Sequence, residues 1–162
     1  MSADTIRQSL KELVQIHTDL LATSEEKTRI VKEGSIENLQ TLLVKERKLL
    51  RLSEQAEKKR QQSVSDWCEA NRISNEDATI TTILKHILSE TEQVKLESIA
   101  TQLTELITKL KQQEQLNQAL ISQSMQFVQL SLDLMSPTLK SMNYGVKKET
   151  EVSNRSVFDS KA

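Results

Sequence analysis

Residues 27–43 read KTRIVKEGSIENLQTLL. Apolar residues recur on both sides of Lys32-Glu33-Gly34-Ser35, and how that interruption is read decides the fold. Glycine adopts the left-handed backbone conformation at little cost, so Gly34 suits the position just past a helix C-terminus. Ser35 then suits an N-cap, and Glu37 falls in the first turn of the next helix, where an acid complements the helix dipole. So short a break folds the second helix back on the first as an antiparallel hairpin.

Upstream, Ile6, Leu10, Leu13, His17, Leu20, Ser24, Lys27 and Val31 follow a 4-3-4-3 spacing. That is one face of an amphipathic helix, filled with apolar residues early and weaker late, with Asp4 as its expected N-cap. Downstream, a second helix carries Ile36, Leu39, Leu42, Leu43, Leu49, Leu50, Leu52 and Ala56. It becomes polar through residues 57–62, regains its apolar face at Val64 and Trp67, and should end near Asn71. Ser74 with Asp77 marks another helix start. The short, strongly amphipathic run Ile80, Ile83, Leu84, Ile87 and Leu88 follows. Ser89 with Glu92 forms a capping box, which leaves open whether this short helix breaks from the next or bends into it. The last helix should run from about Thr91 to Met135, with a seam at Leu96, Ile99, Leu103, Leu106 and Leu110. Proline disfavours helix in the residue before it, so Ser136-Pro137 should end that helix.

The expected fold is therefore all-α. Three long helices and one short helix form a hairpin or bundle with coiled-coil-like packing over residues 1–136, and 137–162 form a mobile tail. Composition agrees: 162 residues contain two glycines, one proline and 2% aromatics, which suits long helices better than an ordinary globular core.

Charge and motifs narrow the function. Net charge is −1, from 22 basic and 23 acidic residues, without the basic excess of a dedicated nucleic-acid binder or a polybasic membrane anchor. No run of apolar residues is long enough to insert in a membrane. Glycines at 34 and 145 cannot build a phosphate-binding loop, a dinucleotide fingerprint or a nucleophile elbow. His17 and His86 lie far apart, and with the lone Cys68 they give no metal spacing. Cys68 beside Trp67 reads as a small packed hydrophobe, and His17 as a seam residue. The cluster Lys45, Arg47, Lys48 and Arg51 reads as a solvated face. No catalytic residue, cofactor or metal site is expected.

One stretch stands apart. Residues 117–135, NQALISQSMQFVQLSLDLM, carry a single charge, Asp133. The seam continues there as Leu120, Phe127 and Leu134, interrupted by Asn117, Ser124 and Ser131. A cleaner row runs Ile121, Met125, Val128, Leu132 and Met135. A helix apolar around so much of its circumference must be covered on more than one side. Either the first three helices cover it, or one row is open to a partner helix, for which methionines provide an adaptable surface.

Asn117-Gln118-x-Leu120-Ile121, the apolar run after it, Pro137, and a short gap to Tyr144-Gly145 resemble the flagellar export chaperone family FlgN. The Glu-rich first helix, short turn and Lys-containing second helix of residues 24–50 resemble it too. That resemblance implies a cytoplasmic, ATP-independent chaperone for the hook–filament junction proteins FlgK and FlgL, which it delivers to the export gate FlhA. It implies a client surface at Leu120, Ile121, Met125, Phe127, Val128, Leu132 and Met135, and a gate contact at Tyr144. Val146-Lys147-Lys148 stand where family members often show a second glycine. Two rival readings are a coiled-coil tether or homodimer without clients, and a nucleic-acid or regulatory protein using residues 45–60.

Overall fold

The computed structural model describes the backbone of residues 3–159 and the side chains of residues 3–135. Gly34 sits in the left-handed region at φ 72°, ψ 21°. Its N–H donates to the carbonyls of Ile30 and Val31 at 3.0 and 3.2 Å, and the Ser35 N–H donates to Ile30 at 3.4 Å. Two of the four orphan carbonyls at the end of α1 (Asp4–Glu33) are thereby satisfied within the turn. The Ser35 hydroxyl accepts from the Asn38 N–H at 3.4 Å and opens α2 (Ile36–Asn71). Ion pairs between Glu12 and Lys59 and between Lys27 and Glu46 show the two helices running antiparallel.

Arg72, also left-handed at φ 57°, ends α2, and Ile73 N–H donates back to Cys68 O at 2.9 Å. Ser74 starts only a 3-10 turn, Asn75–Asp77, rather than the helix expected there. The short helix α3 (Ile80–His86) is instead capped by Thr79, whose hydroxyl accepts from Thr82 N–H at 3.2 Å. α3 and α4 (Glu90–Asp159) are separate helices, which settles the junction the sequence left open. The physical reason is Gln93: its side-chain amide donates to the carbonyls of Leu84 and Ile87 at 3.0 and 2.6 Å. Those bonds replace the next helical turn, while Ser89 accepts from Glu92 N–H.

The expected apolar face of α1 is buried as read, with Ile6, Leu10, Leu13 and Leu20 in the core. Against it lie Ala56, Trp67 and Cys68 of α2, Ile83 and Ile87 of α3, and Leu96 and Leu103 of α4. Ala56, fully buried, leaves room for α1 and α2 to approach closely. Trp67 meets the His86 ring edge-on, with centroids 6.0 Å apart and planes at 86°, which fixes α3 against the end of α2.

Two expectations at helix ends need correction. Asp4 is the first helical residue rather than the cap, and its carboxylate pairs with Arg7 one turn on. The helical backbone of α4 continues past Ser136-Pro137. Proline removes one N–H and crowds the carbonyl four residues back, yet the helix formers on both sides keep the backbone helical. The side chains of the expected tail, 137–162, lie outside the described residues. The chain divides into two units, Met1–Leu120 and Ile121–Ala162.

The two left-handed residues give a paired prediction. Nothing lies within 4 Å of a Cβ built at Gly34, so Gly34→Ala should cost backbone strain alone, about 1 kcal/mol. Arg72→Gly should relieve the same strain and raise stability by about 0.5 kcal/mol, after the glycine entropy cost. Urea denaturation followed by circular dichroism measures both, as opposite shifts of midpoint.

Candidate functional site

The Met1–Leu120 unit carries a buried polar layer in which the weak late part of the α1 stripe meets the other two long helices. Lys27, 5% exposed, places its ammonium 2.6 Å from Glu46 Oε2 on α2 and 3.2 Å from Glu114 Oε1 on α4. Ser24 donates to the same Glu114 oxygen at 2.7 Å. Asn117, 1% exposed, donates through Nδ2 to Ser24 O at 2.8 Å and to Ser24 Oγ at 3.0 Å. Its Oδ1 accepts from the Thr28 hydroxyl, which in turn accepts from Gln113 Nε2. Burial by itself lowers the Lys27 pKa, but hydrogen bonds and charge from Glu46 and Glu114 outweigh it and hold the ammonium above its ordinary 10.5. Asn117, which opens the family-like motif, is thus an internal fastening of α4 to α1. Its identity reflects satisfied buried polarity, not contact with a partner.

The next stretch of α4 has the opposite character. Stepping by seven from Leu96 gives Leu103, Leu110, Asn117, Ser124 and Ser131. Leu96, Leu103 and Asn117 are buried, and Leu110 is half-buried. The flanking positions Ile99, Leu106 and Gln113 are half-buried and lead by the same step to Leu120, Phe127 and Leu134. On the other flank, Ala100, Ile107 and Glu114 lead to Ile121, Val128 and Met135. One position further out, α4 is polar and exposed at Glu97, Thr104, Lys111 and Gln118 on one side, and at Lys95, Gln102 and Lys109, followed by exposed Leu116, on the other. Past Asn117 those outer positions become Met125 and Leu132 on one side, and Gln123 and Leu130 on the other. The apolar arc therefore widens on the Met125 side over residues 121–135.

These side chains are open. Phe127 is 70% exposed, Met125 69% and Leu130 58%, and Val128, Leu132, Leu134 and Met135 are exposed as well. Of the residues expected to bind a client, Leu120 and Ile121 are half-buried, and Met125, Phe127, Val128, Leu132 and Met135 lie exposed on one stretch of helix. Leu130 and Leu134 are exposed on the same stretch of helix; Leu134 follows Leu120 and Phe127 by the step of seven, whereas the row of Leu130 is mostly polar. Tyr144 lies outside the residues whose side chains are described.

The remaining features are structural. Cys68 is fully buried, and His17 is half-buried, its Nδ1 2.8 Å from Leu13 O. Lys45, Arg47, Lys48 and Arg51 are exposed. Among the described residues no group of His, Cys, Asp and Glu could hold a metal ion. No helix among them is long and apolar enough to cross a membrane.

The sequence profile of the family described as FlgN protein matches residues 1–151. The chain is also similar to the uncharacterized protein YvyG of Bacillus subtilis (strain 168), with 33% identity over 168 residues that cover 100% of both chains. No solved structure matches.

The polar layer generates two predictions. Lys27→Met strands Glu46 and Glu114 and should cost about 2 kcal/mol, at the low end for a broken buried pair because Glu114 is 44% exposed. Adding Glu46→Leu should recover most of that loss in the same urea titration, since the apolar pair needs no charge partner. A folded-state pKa above the unfolded value stabilises the protein fully below about pH 10.5. Wild-type stability should therefore fall as pH rises through the raised Lys27 pKa. Lys27→Met should flatten that alkaline slope.

Proposed function

The chain belongs to the FlgN family of flagellar export chaperones, and we propose that it holds the helical terminus of FlgK and FlgL on residues 121–135 of α4. The observation that carries this reading is the exposed apolar arc from Ile121 to Met135, whose only charge is Asp133. Export needs a client that is unfolded or partly folded, and its exposed amphipathic helices would otherwise aggregate. A helix-in-groove contact shields such a segment through anchors spaced three and four residues apart, and releases it without chemistry. Met125 and Met135 suit the task, because methionine repacks against clients of different sequence. In this reading the protein works in the cytoplasm without ATP, and Tyr144 contacts the export gate FlhA when the loaded chaperone delivers its client.

The arrangement separates holding the fold from holding the client. The polar layer stabilises the Met1–Leu120 unit, whereas the exposed arc contributes little to stability because water already covers it. Val128→Asp or Phe127→Asp should therefore weaken co-purification with FlgK and FlgL roughly a hundredfold in affinity while leaving the urea midpoint unchanged. Asn117→Ala should do the reverse, lowering stability by about 2 kcal/mol while the folded protein still binds client. Tyr144→Ala should keep client binding and lose binding to FlhA. Undiminished capture of FlgK and FlgL by Val128→Asp and Phe127→Asp would overturn the client surface. Light scattering that shows a tight dimer unaffected by client would replace it with self-association.

A further inference from the structure

We propose that the outward face of α2 over residues 36–53 docks the protein reversibly on an anionic lipid surface. Charges nearly cancel over the whole chain, but on α2 they are segregated. Between Glu37 and Glu54, the cations Lys45, Arg47, Lys48 and Arg51 are accompanied by one acid, Glu46. Glu46 turns inward and lies 2.6 Å from the Lys27 ammonium of α1, so its charge is matched by another helix. The four cations are exposed, and none joins an ion pair among the described residues. Packing thus converts a run of mixed charge into a basic face.

Helical geometry places apolar residues on that face. At about 100° per residue, Arg51 and Val44 stand almost opposite the buried Leu42, and Arg47 and Lys48 lie within about 60° of them on either side. Val44 is 64% exposed among these cations, and Ile36, about two turns earlier, is 72% exposed. Charge complementarity requires an anionic occupant, and the apolar residues select its class. Clusters of four or more Lys and Arg on a helix bind anionic headgroups, while exposed aliphatic side chains enter the boundary beneath them. Lys and Arg stems add apolar contact as their charged ends stay in water. A nucleic acid would gain nothing from Ile36 and Val44, and residues 36–58 contain no aromatic ring on which a base could stack. An acidic partner helix seats in a groove, whereas this face is the convex side of one helix.

Sedimentation with lipid vesicles tests this on the full-length protein. One set contains equal parts of phosphatidylglycerol and phosphatidylcholine, the other phosphatidylcholine alone. At low ionic strength the protein should pellet with the anionic vesicles and stay in solution with the neutral ones. Added salt should release it, because the cations act through screened charge. Arg47→Gln with Arg51→Gln should lower partition onto the anionic vesicles about thirtyfold. Ile36→Ser with Val44→Ser should lower it about tenfold. Both double variants should keep the wild-type urea midpoint, because all four side chains are exposed. Absence of binding to anionic vesicles, equal binding to neutral ones, or undiminished binding by the arginine double variant would overturn the proposal. Tighter binding to double-stranded DNA or to polyglutamate at the same salt would also overturn it, and would assign the face to nucleic acid or to an acidic polypeptide.

Discussion

The ammonium of Lys27 is the junction on which the three long helices depend. It leaves α1 with almost no access to water and meets one carboxylate from α2 and one from α4. A buried charge is costly unless paired and hydrogen-bonded, and here the cost is offset only when all three helices take one register. A slip of α4 by one turn would strand Asn117 and Glu114 among apolar side chains and leave Lys27 short of a partner. Apolar seams tolerate such slips, because leucine against leucine is much the same one turn along. A polar layer with specific donors and acceptors does not, as buried polar residues in coiled coils show.

That fastening lies immediately before the stretch where α4 changes character. Up to Asn117 the helix is a bundle member with a buried apolar seam and mostly polar margins, broken by exposed Val94 and Leu116. From Ile121 to Met135 one margin turns apolar, at Met125 and Leu132, and Asp133 is the only charge. The residues that fasten α4 into the bundle and the exposed apolar ones therefore lie on different stretches of one helix. Such a division suits a chaperone of the FlgN family, whose task is to hold another chain reversibly. Exposed apolar surface is an aggregation hazard, and Ser122, Gln123, Ser124, Gln126 and Gln129 interleave polar groups through it.

The rest of the chain shows what holds a bundle with so few turns. Gly34 and Ser35 complete the hairpin with backbone bonds and one hydroxyl. Trp67 against His86 seats the short third helix, and Gln93 separates it from the fourth by bonding its last carbonyls. These contacts are local, so each can be satisfied before the long helices finish packing.

Period and punctuation decided much of this protein in advance. The 4-3 spacing on α1 and α4, the Gly34-Ser35 break and the Ser89 capping box were legible because helical geometry repeats every few residues and turns need particular backbone angles. The uncharged character of 117–135 was equally plain. Tertiary structure alone decided which polar residues are buried. Ser24, Lys27 and Asn117 look like gaps in an apolar stripe until their partners, up to 93 residues away, are in place. The same holds for the surface: periodicity separates two apolar rows on 121–135 but cannot say whether other helices cover them. Burial depends on what lies opposite, and that is set by the packing of distant segments rather than by the spacing within one.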